Sequence, residues 1–222
     1  MADRIPSVFL LVPGPWTATE QVVQILAATG EPATARTDEP IQAGAVRVEV
    51  VNDDALASGF SWGRDGPQAP PLVQAVGACD HAAIVEIAGT LDQDPQRVAR
   101  IGEALRRAGG VAVRMEASGA ASDWDTWLER LRSGHPADLY RAAVLLVQQE
   151  DGALYTCGMH AFDLPDAQIT DAPYDQAVRW LDILCVYQLA EDPALGSGHT
   201  FRPDADAERL GHRIFAVLAS VP

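Results

Sequence analysis

An α+β fold is predicted, with helices packed on a single mixed or antiparallel sheet. Three observations point to it. Short apolar runs of strand length alternate with longer stretches of helical period. Their order is β-α-β, a loop, then β-α-β-α-β-β-α, which suits one sheet covered by helices. Asp and Pro stand where helices should start, and Gly where one should stop. The two β-α-β blocks in tandem could be a diverged duplication. No low-complexity linker divides the chain, so residues 1–222 are expected to form one domain.

The elements follow in order. Val8 to Val12 reads as a buried strand that stops at Pro13-Gly14-Pro15. Thr17 or Thr19 can cap a helix running to Gly30, with Val22, Val23, Ile25 and Leu26 as its apolar stripe. Residues 45–51 alternate Val46, Val48 and Val50 against Arg47, Glu49 and Val51, the period of a half-buried strand. Residues 58–71, SGFSWGRDGPQAPP, carry turn and breaker residues throughout and read as a long surface loop. Leu72 to Cys79 forms a short helix, and His81 to Ala88 a strand.

Asp94-Pro95 opens a helix that ends before Gly109-Gly110. Val111 to Glu116 is a strand. Ser122 or Asp123 then caps a helix whose Trp124, Trp127, Leu128 and Leu131 fall at i, i+3, i+4 and i+7, a core-facing stripe. Arg141–Gln149 and Leu154–Phe162 flank Glu150-Asp151-Gly152 as a hairpin. Tyr174 to Leu189 is a long amphipathic helix, and residues 207–221 form a last helix or strand.

Composition narrows the chemistry. The 222 residues carry 31 acidic and 16 basic side chains, a formal net charge of −15, and every basic residue is arginine. A hydrophobic content of 48% is too high for a disordered chain. A field this negative repels phosphates, so nucleic acid is not an expected partner. Without lysine there is no P-loop and no Schiff-base chemistry, and no G-x-G-x-x-G follows a strand. No apolar run approaches the roughly 18 residues of a membrane span. The five-residue run Val8–Val12 is too short for a signal peptide. Three separated cysteines without C-x-x-C spacing suit a reducing cytoplasm rather than a disulfide framework or a thiolate metal site.

The densest set of reactive side chains is Cys157, His160, Asp163 and Asp166. A thiol and an imidazole can form a nucleophile–base pair that a carboxylate orients. On one strand, however, Cys157 and His160 would face opposite sides. A metal set of His160, Asp163, Asp166 and His199 matches no zinc signature, and no cofactor or metal is expected. His81 opens a strand, His135 lies in a turn, and His212 falls in the closing element. Trp124 and Trp127 belong to the core, whereas Trp16 and Trp62 lie among Pro and Gly, where a tryptophan either anchors an interface or packs its loop onto the body.

Thr156, Gly158, Met159 and Phe162, followed by Leu164-Pro165-Asp166, resemble the carboxy-terminal signature of the bacterial domain of unknown function 4261 family. That signature runs approximately Thr-x-Gly-[Leu/Met]-x-x-Phe-Gly-x-x-Glu-x-Glu. The strand opening at His81, the segment Gly110–Ser118 and Gly198-His199-Thr200-Phe201 extend the resemblance over nearly the whole chain. Asp163 stands where the family has glycine, and Asp166 and Gln168 replace its two glutamates. The resemblance implies a fold and a bacterial origin but no reaction. It also implies kinship with accessory proteins found near polymorphic toxin and type VI secretion genes.

The expectation is therefore a cytoplasmic, non-enzymatic interaction protein, immunity-like, whose charge would steer it to a basic partner such as a toxin. The alternative is a small-ligand binder or enzyme working from the Cys157/His160/Asp163/Asp166 face. Candidate binding residues are Trp62, His160, Asp163, Asp166 and His199.

Overall fold

The structure is a computed structural model; it describes residues 5–170 and 172–193. His199, His212 and the closing element at 207–221 lie outside the described residues.

The α+β class holds, with two sheets rather than one. Strands β1 (Ser7–Gly14), β3 (Val46–Asn52), β6 (His81–Ala88) and β7 (Val113–Met115) form the centre of the larger sheet in the order β3-β6-β1-β7, every neighbour antiparallel. Helix α1 (Thr19–Ala27) links β1 to β3, and helix α4 (Pro95–Arg107) links β6 to β7. Each crossover skips one strand, so the two β-α-β units interleave as split units. The sheet extends beyond β3 with β2 (Ala33–Ala35). Beyond β7 it extends with β8 (Ala120–Ser122), then β4 (Trp62–Gly63) and β5 (Gly66–Pro67).

Period two sends Val8, Leu10 and Val12, with Val46, Val48, Ala83, Val85 and Ile87, to one face of the sheet. There they meet Val22 and Leu26 of α1 and Val98, Ile101 and Leu105 of α4. Leu11, Ala82, Ile84 and Ala112 face the other way. Over them pack Leu56 and Phe60, from α2 (Leu56–Gly59) and its end, and Val76 of α3 (Pro70–Gly77). Helix α5 (Trp124–Ser133) lays Trp124 and Trp127 edge to face, 5.9 Å between ring centroids, against α4.

Asp123 caps α5 by accepting from the Thr126 amide at 2.9 Å, and Asp94 caps α4 by accepting from that of Arg97 at 2.8 Å. The amino end of α1 differs from expectation. Ala18 is its N-cap, and the Gln21 side chain accepts from the Thr17 and Ala18 amides instead. Thr19 uses its hydroxyl to accept from Val50 N at 3.0 Å, tying α1 to β3.

Two expectations are corrected. Residues 58–71 are not a loose loop, because Gly63 pairs in parallel with Ala121 and continues the sheet; α3 begins at Pro70. The expected strand Arg141–Gln149 starts later, because Pro136 at the first turn and the His135 cap extend α6 (Pro136–Ala143) into it. Only β9 (Leu145–Gln148) remains, pairing with β10 (Leu154–Cys157), and β11 (Gln168–Ile169) completes a three-stranded antiparallel sheet. Helix α7 (Tyr174–Glu191) packs on this sheet and on α6 through Ala177, Leu181, Leu184 and Cys185. No helix among the described residues is long and apolar enough to cross a membrane.

Arg64, in the turn between β4 and β5, joins the two halves. Its side chain is 8% exposed, donates to Val144 O at 2.9 Å, pairs with Asp182 of α7 and lies 4.5 Å over the Tyr140 ring. Burial alone would lower the Arg64 pKa, yet Tyr140 and Asp182 hold it above the ordinary value, so the charge persists at every working pH. Arg64→Met should cost about 2–4 kcal/mol in urea denaturation, because Asp182 and the Val144 carbonyl lose their donor. Adding Asp182→Leu should recover part of that loss.

Asp123 supplies a second check. Burial alone would raise its pKa, but the hydrogen bonds from Thr126 hold it below the ordinary value. A depressed carboxyl stabilises the fold above its unfolded pKa of about 4, and that contribution is lost as pH falls through the lower folded value. Asp123→Ala should cost about 1 kcal/mol at neutral pH. The gap to the unaltered chain should close in thermal melts at acid pH.

Candidate functional site

The segment that carries the reactive residues leaves its strand early. Gly158 adopts φ +124, and a Cβ there would sit 2.6 Å from Ala143 O and 2.8 Å from Ser118 Cβ. Only glycine fits this turn, so the strand expected to run to Phe162 stops at Cys157, and a 3-10 turn spans Met159–Phe162. Asp163 ends that turn at φ +59, the left-handed region that glycine or asparagine fills most easily.

Asp166 is a structural pin. One of its carboxylate oxygens accepts from Thr156 Oγ1 and from Met159 N, each at 3.0 Å, and so caps the 3-10 turn. Thr156 is fully buried and also accepts from Ala167 N at 2.8 Å. Met159 and Phe162 are core residues. The four residues that carry the family resemblance are therefore packing and turn residues.

The catalytic arrangement does not assemble. Cys157 is half-buried, and its thiol faces the Ala117 carbonyl at 3.9 Å. Burial, and then the Asp166 charge, push its pKa up, which is wrong for a nucleophile. His160 and Asp163 are exposed on the turn, and the bond joining them is between backbone atoms, Asp163 N to His160 O at 3.1 Å. Among the described residues no three His, Cys, Asp or Glu side chains gather as metal ligands, and all three cysteines are free.

A different surface gathers the features of a contact site. Of the two loop tryptophans, Trp16 is buried at 4% exposure, under Gly14, whereas Trp62 is 61% exposed. Tyr174, the first residue of α7, is 54% exposed, and among the described residues these two are the large hydrophobic side chains left open. Both line one cleft of about 530 Å³, together with Arg64, Arg130, Arg141 and Asp182. Arg130 is held by Asp65 and by its donation to Arg141 O, so the floor is fixed by ion pairs. Arg141 is exposed at the end of α6.

Trp62 was legible in the sequence as a tryptophan among breakers. Tyr174, Arg130 and Arg141 were not, because they come from three helices whose meeting is a tertiary event. His199 lies outside the described residues.

Cys157 should alkylate with iodoacetamide more slowly than a free model thiol at mildly alkaline pH, measured with Cys79 and Cys185 replaced by serine and alanine respectively. A rate above that of the model thiol would restore the nucleophile reading. Asp166→Ala should destabilise by about 1–2 kcal/mol, as it strips acceptors from Thr156 and Met159 N.

Compared with family models, curated proteins and solved structures, the chain has no match in any of the three.

Proposed function

We propose that this chain is a non-catalytic protein-interaction protein, immunity-like in type, that docks a basic partner on the Trp62–Tyr174 surface. The observation that carries the reading is the pairing of two exposed aromatics in one cleft, where Asp182 and Asp65 neutralise Arg64 and Arg130. Trp, Tyr and Arg are the residue types that dominate binding energy at protein interfaces. Trp62 sits on a hairpin that the Arg64 ion pair holds in place, so little ordering entropy is lost when a partner arrives.

The charge arrangement supports a basic partner. Eight arginines are ion-paired among the described residues, including Arg97 on Glu31, Arg106 on Asp125, Arg107 and Arg132 on Glu103, and Arg114 on Glu116. The surplus carboxylates are left to project a diffuse negative field, which accelerates encounter with a cationic protein. Three free thiols fit a reducing cytoplasm. The resemblance to the uncharacterised bacterial family, with its link to toxin neighbourhoods, belongs to this same proposal.

The test is affinity capture from the native host with the full chain and with Trp62→Ala/Tyr174→Ala, at low and high salt. A basic protein should be retained at low salt, released at high salt, and lost by more than about tenfold with the double variant. An acidic partner, or equal retention by the double variant, overturns the reading. So does sedimentation showing a dimer that the double variant converts to monomer, since the surface would then bind a second copy.

A further inference from the structure

A central strand of the large sheet carries a carboxylate that has no partner among the described residues. Glu86 is the acidic residue of β6, HAAIVEIA, which is apolar from Ala82 to Val85. Its register partners are Phe9 on β1 and Arg47 on β3, and all three share the sheet face turned away from α1 and α4. A cross-strand arginine in that position is the natural counter-ion. Arg47 is used otherwise: its guanidinium donates to the carbonyl oxygens of Glu39 and, at 2.8 Å, Pro40. Arg36, the other cation nearby, pairs with Glu49 at 3.4 Å and lies 5.7 Å over the Phe9 ring. Glu86 is 9% exposed and has no hydrogen bond or ion pair among the described residues.

Its side chain lines an open cleft of about 1060 Å³, shared with Asp38, Glu39, Glu49 and the apolar Ile5 and Ile41. The Glu86 carboxylate oxygens are not sealed in the core, so they are open to a ligand in the cleft. Four carboxylates against two arginines that are already engaged leave the cleft negative. Because no three metal-ligating side chains gather among the described residues, the chemistry favours an organic cation over a metal ion. An ammonium or guanidinium group supplies the missing donors, and Ile5 and Ile41 offer an apolar surface for a short alkyl chain.

We propose that the Glu86 cleft binds a small organic cation, an alkylammonium or alkylguanidinium, with its charged head on the Glu86 carboxylate and its alkyl chain along Ile5 and Ile41. This site is independent of the Trp62 surface, which lies beyond β8 toward one edge of the sheet.

Calorimetric titration of the full chain with n-butylammonium and with agmatine tests it, with n-butanol as the uncharged isostere. Both cations should bind and n-butanol should not. Glu86→Gln should weaken the cations by at least about tenfold, the worth of one charge-assisted hydrogen bond. The same variant, without ligand, should melt no lower than the unaltered chain, since the carboxylate holds no other described group of the fold. Absence of binding by both cations, equal binding by Glu86→Gln or by n-butanol, or a lower melting temperature for that variant each overturns the proposal. Binding confined to an oligo-lysine peptide overturns it as well, because the cleft would then be reading a protein side chain.

Discussion

The buried guanidinium of Arg64 is the interaction on which the arrangement of this protein turns. A two-residue strand such as Trp62–Gly63 cannot hold its place by one backbone pairing with Ala121. It is held because Arg64 reaches through to the Val144 carbonyl, to Asp182 and to the Tyr140 ring, groups that belong to the α6–β9 junction, α7 and α6. One side chain thus welds the edge of the large sheet to the layer that carries the smaller sheet. Tyr140 donates to the same Asp182 at 3.1 Å, so the carboxylate has two donors and the desolvated charges are compensated. The exposed Trp62 owes its fixed position to this buried neighbour two residues on.

The same economy explains how a lysine-free chain uses its few cations. Arginine offers a planar fork of donors that can serve a carboxylate and a backbone carbonyl at once, which a lysine ammonium does less well. Arg97 joins Glu31 to the Gly44 carbonyl, and Arg130 joins Asp65 to the Arg141 carbonyl. These struts bridge elements distant in sequence. Each such pair also neutralises a carboxylate, so the field comes from the excess of 31 acidic over 16 basic side chains rather than from an acidic tract. The structural use of arginine also leaves Glu86 without an ion pair among the described residues, since Arg47 donates to the backbone at Glu39 and Pro40.

The reactive-looking segment around Cys157 shows how sequence proximity misleads. Cysteine, histidine and two aspartates within ten positions suggest chemistry, but each is consumed or dispersed by the turn that Gly158 imposes. Asp166 is an acceptor for the turn itself, Cys157 is held as a thiol, and His160 and Asp163 face solvent. The turn chemistry was partly visible, since Asp163 occupies the position that the family resemblance gives to glycine and its φ is positive. What that position means is backbone conformation.

Local pattern alone determined most of the elements: His81–Ala88 as a strand, Asp94-Pro95 as a helix start, Trp124, Trp127, Leu128 and Leu131 as a buried stripe. Period and capping are properties of neighbouring residues, so a sequence reports them directly. The absence of lysine and the −15 charge likewise follow from composition. Only the tertiary structure decided which of two loop tryptophans is open, that 58–71 joins a sheet, that the chain builds a second one, and that Arg47 turns to backbone carbonyls rather than to Glu86 across the strand. Those outcomes depend on residues tens of positions apart meeting in space. Burial and ion pairing are set by that meeting, and no local pattern records it.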